Sequence, residues 1–231
     1  MSNIIVLGAT GLVGTQIIKH AEKQSTINKI ITLTRSLPSF KSDKIESIVE
    51  ENTGNWPSII KSQTPIPEAY ISSFGTTKAK AGGAQEFKEI DYGINYENAK
   101  AAKELGCSTC VLISAQGANS KSPFFYLKTK GELEDDIKAL NFDYFIILRP
   151  GVLIGERKDS HGFGNDVAMK LGRFVKGTWF QPLLNPIDVS DLGEIAIDFA
   201  NRGMKGDLRE KILTVGGSEL IEMVDDLKVG K

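Results

Sequence analysis

Histidine and cysteine are scarce in this chain of 231 residues, which holds two of each. Cys107 and Cys110 stand in GCSTCVLIS with C-x-x-C spacing. A redox pair of that spacing usually opens a helix, whereas this one runs into an apolar, strand-like stretch. Residues three apart on a strand face opposite ways, so two sulfurs placed there are expected to diverge. Zinc needs four ligands, and only His20 and His161 stand elsewhere to complete a set. Two reduced thiols are the expectation. Solvated roles are expected for His20, on a helix, and for His161, in a Gly-rich loop.

Long apolar runs are missing as well. The strongest, Ile4–Leu7 and Tyr144–Leu148, are strand-sized, well short of the ~18–20 residues of a membrane-spanning helix. The opening MSNIIVLGATG lacks the basic leader and cleavage site of a secretory signal and the Arg-rich pattern of a transit peptide. The fold is therefore expected to begin at its first strand. Neither sign of charge dominates: 28 Lys+Arg against 29 Asp+Glu leave -1. That argues against a large nonspecific nucleic-acid footprint and leaves room only for a local patch. What the chain has in excess is glycine, 23 residues or about 10% against a typical ~7%.

Short apolar runs alternate with helical patterns along most of the chain. Strands are expected at Ile4–Leu7, Ile30–Thr34, Ile45–Val49, Ala69–Phe74, Val111–Ser114 and Tyr144–Leu148. Helices are expected at Leu12–Lys23, Trp56–Lys61, Glu86–Glu104 and Tyr126–Leu140. This β-α-β alternation marks an α/β fold with a parallel sheet covered on both faces. After Gly151 the pattern loosens to about Asn185. A helix near Ser190–Asn201, a strand at Ile212–Val215 and a last helix from Ser218 follow.

The first strand runs into Gly8-Ala9-Thr10-Gly11-Leu12-Val13-Gly14, a G-x-x-G-x-x-G turn that opens an amphipathic helix. Three glycines in this context exceed what a tight β-α turn without a ligand needs and suit a dinucleotide: one for the sharp turn, one for close approach to the pyrophosphate, one for helix–strand packing. The free N–H groups of the helix start then face the phosphates. Gly8, Thr10, Gly11, Leu12, Val13 and Gly14 are thus the first cofactor-binding candidates. The expected architecture is a Rossmann-like, doubly wound parallel sheet with a small C-terminal lobe. One NAD(P)-binding domain spans 1–231, its cofactor part about 1–154 and a small substrate lobe about 155–231.

The end of the second strand selects the dinucleotide. An NAD site usually has a carboxylate there, about 20 residues beyond the glycines. This chain reads Thr34-Arg35-Ser36. Arg35 is able to fork onto a 2′-phosphate, so NADP(H) is the expected cofactor. Tyr126 and Lys130 have Y-x-x-x-K spacing at a helix start and share one helix face. An ammonium beside a phenol stabilises the phenolate, which suits Tyr126 to exchange a proton with a substrate oxygen. Lys130 is also expected to hold the nicotinamide ribose. Ser114, at a strand end twelve residues before Tyr126, is expected to share that oxygen. Phe74-Gly75-Thr76 ends the fourth strand, where backbone passes close to the cofactor. Arg149-Pro150-Gly151-Val152 ends the sixth, where Pro150 and Val152 would meet the nicotinamide amide. Ligands sit outside the carboxyl ends of strands in such sheets.

In this order, GATGLVG, FGTTKAKAG, LISAQGA, YLKTKGE and LRPGVLIGER resemble the atypical short-chain dehydrogenase/reductase superfamily. More narrowly they resemble the branch of the Tat-interacting tumour-suppressor oxidoreductase, and within it the fungal proteins named as found in the mitochondrial proteome. The resemblance covers about residues 3–157 well and the rest loosely. It implies a Rossmann fold, NADP(H), and a Ser-Tyr-Lys set falling on Ser114, Tyr126 and Lys130. It also implies an intracellular address, cytosolic or peripheral on the mitochondrial outer membrane. Relatives often carry two serines where this chain has Ser114-Ala115.

Two functions are open at this point. One is an oxidoreductase acting on a small carbonyl or alcohol. The other is a non-catalytic NADP(H)-sensing regulatory or scaffold protein, which needs the glycine turn and Arg35 but not Tyr126 or Lys130. A kinase reading attached to the branch finds no H-R-D or D-F-G here. The substrate pocket is expected around Phe163, Phe174, Trp179 and Phe180. Those aromatics suit equally a lobe core or a membrane-facing patch.

Overall fold

The computed structural model describes residues 1–155 and 185–229. The chain runs β1 (Ser2–Leu7), α1 (Leu12–Glu22), β2 (Ile27–Thr34), β3 (Ile45–Val49), α2 (Trp56–Lys61) and β4 (Ala69–Ser72). Two short helices follow, α3 (Lys78–Ala81) and α4 (Ala84–Lys88), then a π-helical stretch at Glu89–Ile94. Next come α5 (Asn95–Leu105), β5 (Thr109–Ile113), α6 (Phe125–Ala139), β6 (Tyr144–Arg149) and β7 (Leu153–Ile154). The last elements are β8 (Ile187–Asp188), α7 (Val189–Lys205), β9 (Ile212–Gly216) and α8 (Gly217–Val229).

Seven strands form one sheet in the order β3-β2-β1-β4-β5-β6-β9, and every pairing is parallel. This is the Rossmann-like doubly wound sheet that the alternation predicts. The strand alternation decides which side chains go to which layer. Ile4, Val6, Val111, Ile113, Ile146 and Leu148 pack with Val13, Ile17, Leu192 and Ala196 of α1 and α7. Ile5, Leu7, Cys110, Leu112, Phe145 and Ile147 pack with Trp56, Ala99, Leu133 and Ile137 of α2, α5 and α6. Residues Ile4 to Leu7 are fully buried, and each such side chain contributes roughly 1.5–3 kcal/mol relative to exposure.

Some boundaries differ from the sequence reading. The fourth strand stops at Ser72 rather than Phe74, because the Phe74 ring turns aside to meet Trp56 edge-on at 5.4 Å. The helix expected over Glu86–Glu104 is interrupted by the π-helical stretch. Of the region expected as a lobe over about 155–231, the described residues 185–229 pack directly on the main fold. Asp188 caps α7 through its side chain and the Ser190 N–H, 2.8 Å apart, and α7 lies on α1. Strand β9 pairs with β6. The aromatics Phe163, Phe174, Trp179 and Phe180, and His161, lie outside the described residues.

Cys107 and Cys110 are both free and buried. They lie in the same apolar layer rather than on opposite faces, since Cys107 precedes the strand that holds Cys110. Burial pushes the Cys107 thiol up to about 12 and raises Cys110 as well. Among the described residues no helix is long and apolar enough to cross a membrane.

Candidate active site

Strand order reverses between β1 and β4, so the crevice of the sheet opens between their carboxyl ends. Gly8 makes the turn off β1 with φ +83, a conformation that favours glycine. A side chain there would also meet the backbone nitrogen of Phe74 at 2.7 Å. Gly14 is equally constrained: a Cβ on it would lie 2.1 Å from the Gly8 carbonyl oxygen. These two glycines thus serve the turn and the helix–strand approach, as the motif predicts. The helix they admit starts open. Gly11 caps α1 without a side-chain hydrogen bond, and no acidic residue stands in its first turn. Unpartnered N–H groups and the positive end of the helix dipole therefore face outward.

A cleft of about 780 Å³ runs along this edge of the sheet. Gly11, Leu12, Val13 and Arg35 line it at the glycine turn, and Phe74, Gly75 and Thr76 at the end of β4. Ser114, Tyr126 and Lys130 line it too. The candidates from five separate segments therefore share one cavity. Gly8, Thr10, Gly14, Pro150 and Val152 do not line it. Gly8 and Gly14 act from beneath the turn. The Val152 carbonyl accepts the Ile187 N–H at 2.9 Å, and Leu153 takes the lining position on that side. Glu51 and Thr53, beyond β3, line the cleft together with Arg35.

Asp91 and Glu134, which the sequence reading passed over, organise the inner wall. Asp91 lies in the π-helical stretch and is 1% exposed. One carboxylate oxygen meets Lys130 Nζ at 2.8 Å, and the other accepts the Thr76 N–H at 2.7 Å. Asn95, one turn on, donates to the carbonyls of Phe74 and Asp91, both at 3.1 Å, and accepts from Ser72. The loop after β4 is thus tied to the π-helical stretch and to α6. A Cβ on Gly75 would come within 2.9 Å of the Asp91 carboxylate and 3.5 Å of Lys130 Nζ. Glycine at this position therefore leaves room for the ion pair. Interrupted helices of this kind are frequent at functional sites.

Glu134 sits four positions beyond Lys130 and eight beyond Tyr126 on α6. Its carboxylate accepts the Ser114 hydroxyl hydrogen and holds the Arg149 guanidinium, with Arg149 Nε at 3.0 Å. Arg149 Nη2 closes the fork on the second oxygen. That pairing raises the Arg149 pKa further above its ordinary value. Tyr126 is placed differently. It is 44% exposed at the start of α6, its ring 5.7 Å from that of Phe87.

The sequence profile of the family described as HIM1 matches residues 14–175, more than half of the chain. The chain belongs to the HIM1 family. It is 58% identical to "Protein FMP52, mitochondrial" of Lodderomyces elongisporus, over 99% of this chain and the whole of that protein. In fold, this HIM1-family chain is similar to the Bordetella bronchiseptica enzyme WbmH in complex with NAD+. The TM-score is 0.67 at 14% identity, over 97% of this chain and 79% of that one. It is also similar to a short chain dehydrogenase family protein from Francisella tularensis. There the TM-score is 0.66 at 15% identity, over 95% of this chain and 98% of that one. The HIM1-family chain thus shares the fold of these two proteins.

Proposed function

We propose that the chain is an NADP(H)-dependent oxidoreductase acting on a small carbonyl or alcohol. The observation that carries this reading is the shared cleft, which joins the open start of α1 and Arg35 to Tyr126, Lys130 and Ser114. The uncapped helix start suits a pyrophosphate. Arg35 is exposed at the same cleft, in the place of the carboxylate that would select NAD. The bound nicotinamide supplies hydride to the substrate carbon or removes it. Tyr126 delivers its phenolic proton to the substrate oxygen, and takes it back in the reverse direction. Lys130, held by Asp91, turns its remaining N–H donors to the ribose hydroxyls. The mitochondrial address in the names of the relatives extends to this chain under the same proposal, as does kinship with the Tat-interacting branch.

A second reading is a cofactor-sensing protein without turnover. The commitment of Lys130 to Asp91 and of Ser114 to Glu134 favours it. The two readings part on one assay. NADPH oxidation is followed over a panel of aldehydes, ketones and quinones in wild type and Tyr126→Phe. The enzyme reading expects activity that falls at least about 100-fold in the variant while NADPH still binds. Equal turnover in both proteins, or none in the wild type, refutes it.

A further inference from the structure

An ionised carboxylate only accepts hydrogen bonds and a guanidinium only donates them. The directions around Glu134 are therefore fixed by chemistry. Glu134 is 2% exposed, and both of its oxygens are held by Arg149. The hydroxyl of Ser114 has a single hydrogen, and that hydrogen goes to Glu134. Charge-assisted hydrogen bonds are about twice as strong as neutral ones. Turning the hydrogen towards a carbonyl oxygen in the cleft would exchange the stronger bond for the weaker. The Ser114 backbone cannot swing away, because its N–H is bonded to the Leu148 carbonyl at 2.8 Å. Ser114 therefore shows the cleft lone pairs and no proton.

We propose that Glu134 is a positioning residue that makes Ser114 a hydrogen-bond acceptor. The cleft then takes a donor at this point, a hydroxyl or an amide N–H of the bound molecule. This rests on the reading of the cleft as a ligand site, but not on turnover. In a reacting complex it assigns the reacting oxygen to Tyr126 and a neighbouring hydroxyl of the substrate to Ser114. Hydroxy-carbonyl compounds and diols satisfy both positions, whereas a simple ketone leaves Ser114 without a partner.

Glu134→Gln tests the polarity directly. A glutamine offers one oxygen, and the charged Arg149 fork takes it in preference to the neutral Ser114 hydroxyl, Nε leaving the position it shares with Ser114. The amide nitrogen then faces Ser114 as a donor, and the Ser114 hydrogen turns into the cleft. Phenol and anisole are probes of similar shape; the first donates, the second only accepts, and neither is reduced. Their binding to the NADPH-saturated full chain is measured by ligand-observed NMR for wild type, Ser114→Ala and Glu134→Gln. The phenol-to-anisole affinity ratio is expected to be at least about fivefold higher in wild type than in Ser114→Ala. In Glu134→Gln it is expected to shift towards anisole by a similar factor. A ratio unchanged within about twofold in Ser114→Ala overturns the proposal. A phenol preference kept in Glu134→Gln, or no phenol binding to the wild type, overturns it too. Where Glu134→Gln fails to fold, Ser114→Ala decides alone, since it keeps the Glu134–Arg149 fork. Absence of carbonyl-dependent NADPH oxidation counts against the enzyme reading and leaves these ratios readable.

Discussion

Replacing Lys130 by Met strands a carboxylate. Asp91 and Lys130 are 1% and 7% exposed in their side chains and 2.8 Å apart. With the ammonium gone, the Asp91 carboxylate keeps the Thr76 N–H at 2.7 Å and little solvent. Removing one partner of a buried ion pair costs about 3–5 kcal/mol. Asp91→Asn is milder, since its uncovered ammonium reaches the cleft that Lys130 lines; we expect about 1–3 kcal/mol. The double variant removes both charges, so its loss should fall short of the sum by about 2 kcal/mol. A urea slope near 3 kcal/mol/M turns the Lys130→Met cost into a midpoint fall of about 1–2 M. Urea denaturation of the four proteins, followed by circular dichroism, reads this directly. Lys130→Met within about 1 kcal/mol of wild type, or strictly additive losses, would refute the claim that the pair ties α6 to the π-helical stretch.

The remaining predictions concern the turn, the cofactor and the thiols. Gly14→Ala forces a carbon to 2.1 Å from the Gly8 carbonyl, and should destabilise by about 1–3 kcal/mol or more. It should also weaken NADPH binding, and a thermal scan with a cofactor titration checks both. Arg35→Ala should cost NADPH about 10- to 100-fold in affinity while leaving NADH nearly unchanged; titration of both cofactors decides it. Cys107, pushed up to about 12, should have a thiolate fraction near 1 in 10,000 at about pH 8. Ellman's reagent should therefore react with Cys107 and Cys110 only after denaturation, and prompt reaction of the native protein would contradict their burial.

The sheet was legible because each strand combines an apolar run with a clear turn signal at its end. Ile45–Val49 and Trp56–Lys61 agree with the structure residue for residue. The glycine turn was legible for the same reason, as its spacing and its strand–helix context agree. Asp91 was hidden because its partners lie in two distant segments, Thr76 after β4 and Lys130 on α6. A helical pattern also gives no sign that one stretch will widen to a π-helix. Glu134 was within reach: Y-x-x-x-K-x-x-x-E places it on the face of Tyr126 and Lys130. What the spacing cannot supply is Arg149, brought to it by the pairing of β5 with β6. Substrate choice stayed illegible, because the aromatics expected to line the pocket belong to the loosely patterned stretch after Gly151.

The packing of α7 on α1 has a consequence for synthesis. Val13, Ile17 and Ala21 emerge early, yet Leu192, Ala196 and Ala200, which share their apolar layer, are made some 180 residues later. Gly193 seals that crossing so tightly that a Cβ would come within 2.8 Å of Gln16. At about 5–20 residues per second, the nascent chain spends roughly ten seconds or more with the α1 side of its sheet still lacking α7. During that interval the growing protein presents an apolar surface that only the last third of the chain can cover.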